Sequence, residues 1–106
     1  MKFPNDADGD ALRSLYKEGL DFKKQHSVEF FVAVSNKDAG EKLAIVLKGE
    51  GFNCFLEQDD DTEEWACCCS KRMLLNYSEL IKIQKKLDDL SKPHGGYSDG
   101  WGVFVD

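Results

Sequence analysis

Apolar positions recur along the chain in two different periods, and the changes of period mark out its elements. From Ser27 to Val34, the residues Val28, Phe30, Phe31, Val32 and Val34 crowd β-branched and aromatic side chains into a span too short for a helical repeat, which predicts a strand. Ala39, Leu43, Val46 and Leu47 then return at helical spacing as far as Gly51, predicting a helix opened by Ser35 with Asp38 three places on, a variant capping box. Phe52, Cys54 and Leu56 alternate with Asn53, Phe55 and Glu57, and Trp65, Cys67 and Cys69 alternate with Glu64, Ala66 and Cys68. The polar run Gln58-Asp59-Asp60-Asp61-Thr62-Glu63 between them predicts an antiparallel hairpin with an acidic tip, which sets Cys54 opposite Cys67. Asn76 with Glu79 opens a further helix, whose Leu80, Ile83, Leu87 and Leu90 share one face and which Pro93 ends. After Gly95-Gly96 and a turn at Ser98-Asp99-Gly100, Trp101, Val103 and Val105 alternate with Gly102 and Phe104 as a short last strand.

Ahead of these lies a helix from about Asp10 to Glu18, with Leu12, Leu15 and Tyr16 as its buried stripe. The cluster from Asn5 to Asp10 supplies carboxylates for its start, Gly19 a left-handed cap for its end, and Leu20 an apolar residue to fold over that cap. The order is therefore helix, strand, helix, strand, strand, helix, strand. Without the first helix it is the split β-α-β-β-α-β pattern of an α+β fold, most economically a four-stranded antiparallel sheet with two helices on one face. The expectation is one domain over residues 1–106 with the N-terminal helix as an added element.

Strand alternation divides the sheet residues into two sets. With Phe30, Val32, Val34, Leu56, Trp65, Cys67, Trp101 and Val103 toward the covering helices, Phe31, Ala33, Phe55, Ala66 and Phe104 occupy the opposite face. An apolar face of that kind must be covered or used. The first helix, a second copy of the chain in a homodimer, and a protein partner are the three ways of covering it.

Composition narrows the chemistry. Acidic residues outnumber basic ones 20 to 14, for a formal charge of −6, which disfavours nonspecific attraction to nucleic-acid phosphates and anionic membranes. The start, from Met1 to Asp6, lacks the apolar run of a signal peptide, and no apolar stretch approaches a membrane span, so a soluble cytoplasmic protein is expected. Three of the four cysteines are consecutive, Cys67-Cys68-Cys69, which fits small buried thiols better than disulfides or zinc ligands. The run from Asp6 to Asp10 lacks the glycine and glutamate of a calcium loop, since Ala11 and Lys17 stand there, and reads as helix capping. His26 and His94 are far apart at element boundaries, and no nucleophile, phosphate loop or metal motif accompanies them. No catalytic residue, cofactor or metal is assigned. Lys82, Lys85, Lys86 and Lys92 on the third helix, with the sheet phenylalanines, leave a single-stranded nucleic-acid module as the alternative class, although Asp88 and Asp89 interrupt the basic run.

The run Asp99-Gly100-Trp101-Gly102, followed by Phe104, resembles the signature of the bacterial regulator of ribonuclease E activity B family. The Cys67-Cys68 strand, the helix before the turn, and Gly19-Leu20-Asp21 leading into a strand are similar to that family's layout, so the resemblance covers nearly the whole chain. It implies a ferredoxin-like fold and a noncatalytic protein that binds the endoribonuclease ribonuclease E and restrains it. Family regulators commonly continue past this motif into a strongly acidic tail, where this sequence stops at Asp106. A protein partner is thus the broad expectation and the ribonuclease its narrow form. The candidate contact residues are Asp99, Gly100, Trp101 and Gly102 from the motif, and Phe31, Phe55 and Phe104 from the sheet face.

Overall fold

The structure, a computed structural model, describes residues 3–104. In chain order the elements are α1 (Ala7–Lys17), β1 (Gln25–Val34), α2 (Lys37–Gly49), β2 (Asn53–Gln58), β3 (Trp65–Leu74), α3 (Tyr77–Ser91), a short 3₁₀ turn (Lys92–His94) and β4 (Tyr97–Phe104). The four strands form one antiparallel sheet in the order β2-β3-β1-β4. Every predicted element is present, and the mixed α+β reading holds.

The helix boundaries follow from side-chain caps. Asp6 accepts from the Gly9 amide at 2.7 Å, so α1 begins three residues earlier than the expected Asp10. The acidic cluster forms the first turn instead of preceding it. At the other end, the Gly19 amide reaches Tyr16 and the Leu20 amide reaches Leu15, the paired bonds of a Schellman cap at the expected place. Helix α2 is capped by Asn36, which accepts from Ala39, and not by Ser35, whose hydroxyl donates to the Gly95 carbonyl instead. Gly40 stays inside α2 because the helix lies close to β2: a Cβ there would fall 2.4 Å from Leu56 Cδ2. Helix α3 starts at its expected cap, Asn76, which accepts from Glu79.

The hairpin register differs from the expected one. Asp59 accepts at its side chain from Asp61 and Thr62, and its amide donates to the Glu64 carbonyl, which centres the turn between Asp61 and Thr62. Cys54 consequently faces Cys69, and Leu56 faces Cys67. The parity of the faces is unchanged by this two-residue shift.

The core lies between the sheet and the helices, where Val28, Phe30, Val32, Cys67 and Cys69 meet Leu43, Leu47, Leu80 and Leu87. Phe30 and these four leucines are fully buried, and burying side chains of that size stabilises the fold by roughly 1.5–3 kcal/mol each. Leu12 of α1 joins the same core, beside α3. Phe3, Tyr16 and Phe22 stack edge-to-face around α1 with centroids 5.7 to 6.3 Å apart, holding the segments that enter and leave it. The first helix is therefore on the helical side of the sheet and leaves the other face open.

Candidate protein-interaction face

Pairing across the sheet arranges the open face in rows. The middle row runs Phe31 on β1, Cys68 on β3 and Phe55 on β2. On one side of it lie Tyr97, Ala33, Ala66 and Glu57, and on the other Gly102, Glu29, Ser70 and Asn53. Phe55 and Tyr97 are about half exposed, at 54% and 55%, whereas Cys68 between the two phenylalanines is only 2% exposed. Phe31 and Phe55 thus come together as expected. Phe104 is placed by its backbone opposite Ser27, two rows from Phe31, and its side chain is outside the described part of the structure, as is Val105.

The Asp-Gly-Trp-Gly motif does not act as a single patch. Its first half is expected to form a turn at Ser98-Asp99-Gly100 with the strand starting at Trp101, yet β4 already begins at Tyr97 and runs through the motif. A register shift sets Asp99 and Gly100 opposite Phe31 and absorbs one extra residue as a β-bulge, in which Gly100 has φ 105°, a left-handed conformation that strains any side-chain-bearing residue. The bulge sends neighbouring side chains to opposite sides. Asp99 lines a concavity of about 260 Å³ on the open face with Phe31, Ala33, Glu57 and Cys68. Trp101 faces the other way, packs against the core, and donates from Nε1 to Asp8 Oδ1 at 2.8 Å. The other Asp8 oxygen accepts from Gln84 at 3.3 Å, so one carboxylate joins α1, α3 and β4. Nearby, Asp6 accepts from the Tyr77 hydroxyl. That bond first, and the Gly9 amide second, hold the Asp6 carboxyl below the ordinary range.

Carboxylates govern the electrostatics around the Phe31-Cys68-Phe55 row, and Arg72 lies farther along the same face opposite Ser27. Burial, reinforced by the charge of Glu57, pushes the Glu29 carboxyl above its ordinary value. Burial, then hydrogen bonding to Glu57, pushes the Cys68 thiol up to about 12, so Cys68 packs as an inert small apolar group. Among the described residues no three His, Cys, Asp or Glu side chains group as metal ligands, and no helix is long and apolar enough to cross a membrane. His26 is spent on the Asp21 carbonyl, 2.7 Å from Nε2, beside a larger cavity of about 740 Å³ between the end of α1 and the start of β1. The α3 lysines and Lys92 just after them carry ion-pair partners: Lys82 with Glu79, Lys85 with Asp89, Lys86 with Glu50, and Lys92 with Asp88.

Glu29, Glu57, Cys68 and Tyr97 were missed as members of this face. The signal for the first three was present, since each has the strand parity of a residue already assigned there: Phe31, Phe55 and Ala66. Tyr97 was hidden by reading the start of β4 as a turn.

The family model described as regulator of ribonuclease activity B matches residues 5–103. The chain belongs to this family. Nearly every element, from the α1 cap at Asp6 to the strand carrying the Asp-Gly-Trp-Gly motif, falls within the matched span. No curated protein matches the chain. In this member of the regulator of ribonuclease activity B family, the Asp8–Trp101 bond gives the Asp-Gly-Trp-Gly motif a structural task.

Proposed function

We propose that the protein is a noncatalytic regulator that binds an endoribonuclease of the ribonuclease E type and restrains it, with the open sheet face as its contact surface. The observation that carries this reading is an uncovered row of Phe31, Cys68 and Phe55 flanked by Glu29, Glu57 and Asp99, in a chain of the regulator of ribonuclease activity B family. An exposed aromatic centre inside a charged rim has the anatomy of a protein-binding patch. The carboxylates beside this row are anionic, with the cation Arg72 farther along the same face opposite Ser27, so the surface complementary to the row is a cationic segment carrying apolar side chains.

The same carboxylates weigh against the single-stranded nucleic-acid reading. Bases could stack on Phe31 and Phe55 only by bringing phosphates beside Glu29, Glu57 and Asp99, and the α3 lysines already have anionic neighbours. Restraint acting on the enzyme and not on its RNA fits these charges better. The strand order supports a ferredoxin-like assignment, since each β-α-β unit brackets one intervening antiparallel strand. A partner that processes RNA, together with four free thiols, supports a cytoplasmic setting in bacterial RNA metabolism.

The test is titration of the protein into a purified ribonuclease E-type endoribonuclease, with binding and RNA cleavage read on the same samples. The reading expects saturable binding, slower cleavage, and binding that weakens as salt rises. No binding with unchanged cleavage would remove the ribonuclease. Sedimentation of the protein alone at the same concentrations distinguishes the homodimer, in which a second copy covers the face.

A further inference from the structure

The two residues that the hairpin register brings face to face, Cys54 and Cys69, have sulfurs 3.3 Å apart on the helical side of the sheet. We propose that this pair is a thiol modification site, closed to an intramolecular disulfide by small disulfide oxidants such as oxidised glutathione. The inference is independent of the partner assignment.

Geometry carries it. Directly opposed residues of an antiparallel pair have Cα atoms roughly 4.5–5.5 Å apart, within the span that a disulfide bridges. The sulfurs are already at van der Waals contact, so closure needs a short side-chain movement and no change of register. No other pairing has this arrangement. Cys68 projects to the open face, and the Cys67 thiol donates to the Gly40 carbonyl.

Access and reactivity are divided between the partners. Cys67, Cys68 and Cys69 are buried, at 0%, 2% and 0% exposure, and Cys54 on edge strand β2 is the one partly exposed thiol. Hydrogen bonding between the two thiols, helped by the charge of Lys48, takes the Cys54 thiol below its ordinary pKa, the same bond and burial push the Cys69 thiol up, and burial pushes Cys67 up to about 11. Cys54 is thus the entry thiol and Cys69 the resolving one.

The reaction proceeds by two exchanges. Cys54 releases its proton to water, and its thiolate attacks one sulfur of oxidised glutathione, forming a mixed disulfide and expelling a glutathione thiolate. Cys69 then attacks the Cys54 sulfur, giving up its proton to the second departing glutathione thiolate. The two protein thiols lose two electrons together, and one oxidised glutathione becomes two reduced molecules. The product links β2 to β3 directly behind Phe55 without covering it.

The experiment equilibrates the full chain, folded and oxygen-free, in reduced and oxidised glutathione buffers of graded ratio, followed by acid quench, alkylation and fragment mass mapping. The expected product has lost about 2 Da, joins Cys54 to Cys69, and leaves Cys67 and Cys68 open to alkylation after unfolding. Cys69→Ala should stop at one glutathione on Cys54, and Cys54→Ala should react with none. Cys67→Ala should still close, which keeps the test decisive should Cys69→Ala fail to fold. Four intact thiols across buffers that oxidise the unfolded chain would overturn the proposal. So would a link through Cys67 or Cys68, or a stable glutathione adduct on Cys54 in the unsubstituted protein.

Discussion

Asp8 and Trp101 are 93 positions apart, yet the carboxylate of one accepts the indole N–H of the other while also accepting from Gln84. Removing either partner leaves a half-buried polar group unsatisfied, at a cost of roughly 1–3 kcal/mol. Asp8→Ala and Trp101→Phe should each destabilise the fold by about that amount, and the double variant by less than their sum, giving a coupling of roughly 0.5–3 kcal/mol in denaturant unfolding. Full additivity would show that the bond contributes nothing. A second carboxylate, Asp88, pins the start of β4 by accepting from the Ser98 amide at 3.0 Å. That bond first, then the nearby Lys92 charge, lowers its pKa in the folded state. A lowered carboxyl favours the fold at pH above the unfolded aspartate value, about 3.9, and loses that contribution as pH falls through the folded value. The thermal midpoint should therefore fall on acidification through this window. Asp88→Asn, which keeps an oxygen for the amide but no charge, should shallow the fall, while Asp6 and Asp59, also lowered, retain part of it.

Among the elements, β4 departs most from its local sequence. Gly95-Gly96 and Ser98-Asp99-Gly100 have turn chemistry, and a turn is what residues of that kind adopt when nothing else satisfies their backbone. Here β1 supplies the partners, and the irregularity survives as a bulge within a continuous strand. Gly100→Ala should cost about 1–3 kcal/mol, because φ 105° is strained for alanine, and should be seen as a lowered thermal midpoint with an unchanged far-ultraviolet dichroism spectrum below the transition. An unaltered midpoint would mean that the bulge relaxes freely. The other elements were legible because their signals are local: the β-branched run of β1, the Asn76 cap of α3, and the Gly19 cap of α1. The α1 start, the Asn36 cap and the hairpin register depended on which of several adjacent polar residues turned inward, which spacing alone does not distinguish. The open face was legible by parity, since Phe31, Ala33, Phe55 and Ala66 alternate with core positions. Its carboxylate flanks and the two-sided use of the Asp-Gly-Trp-Gly motif required the bulge and the long-range pairing to be known.

For the whole molecule, placing all three helices on one side of the sheet decides what the other side presents. Trp101 joins α1 to the helical layer through Asp8, while on the other side of the sheet Phe55 is half exposed and Phe31 partly exposed. The motif thus spans both sides of the sheet: its tryptophan bonds to the helical layer, and its aspartate lines the open face. The most direct measurement is the affinity of a ribonuclease E-type endoribonuclease for the unsubstituted protein and for Phe55→Ser. Phe55 is half exposed, so the change should leave the thermal midpoint nearly in place. Loss of this exposed aromatic anchor should weaken binding by about 2 kcal/mol or more, roughly 30-fold. Equal affinities for the two proteins, or no binding of either, would contradict the account.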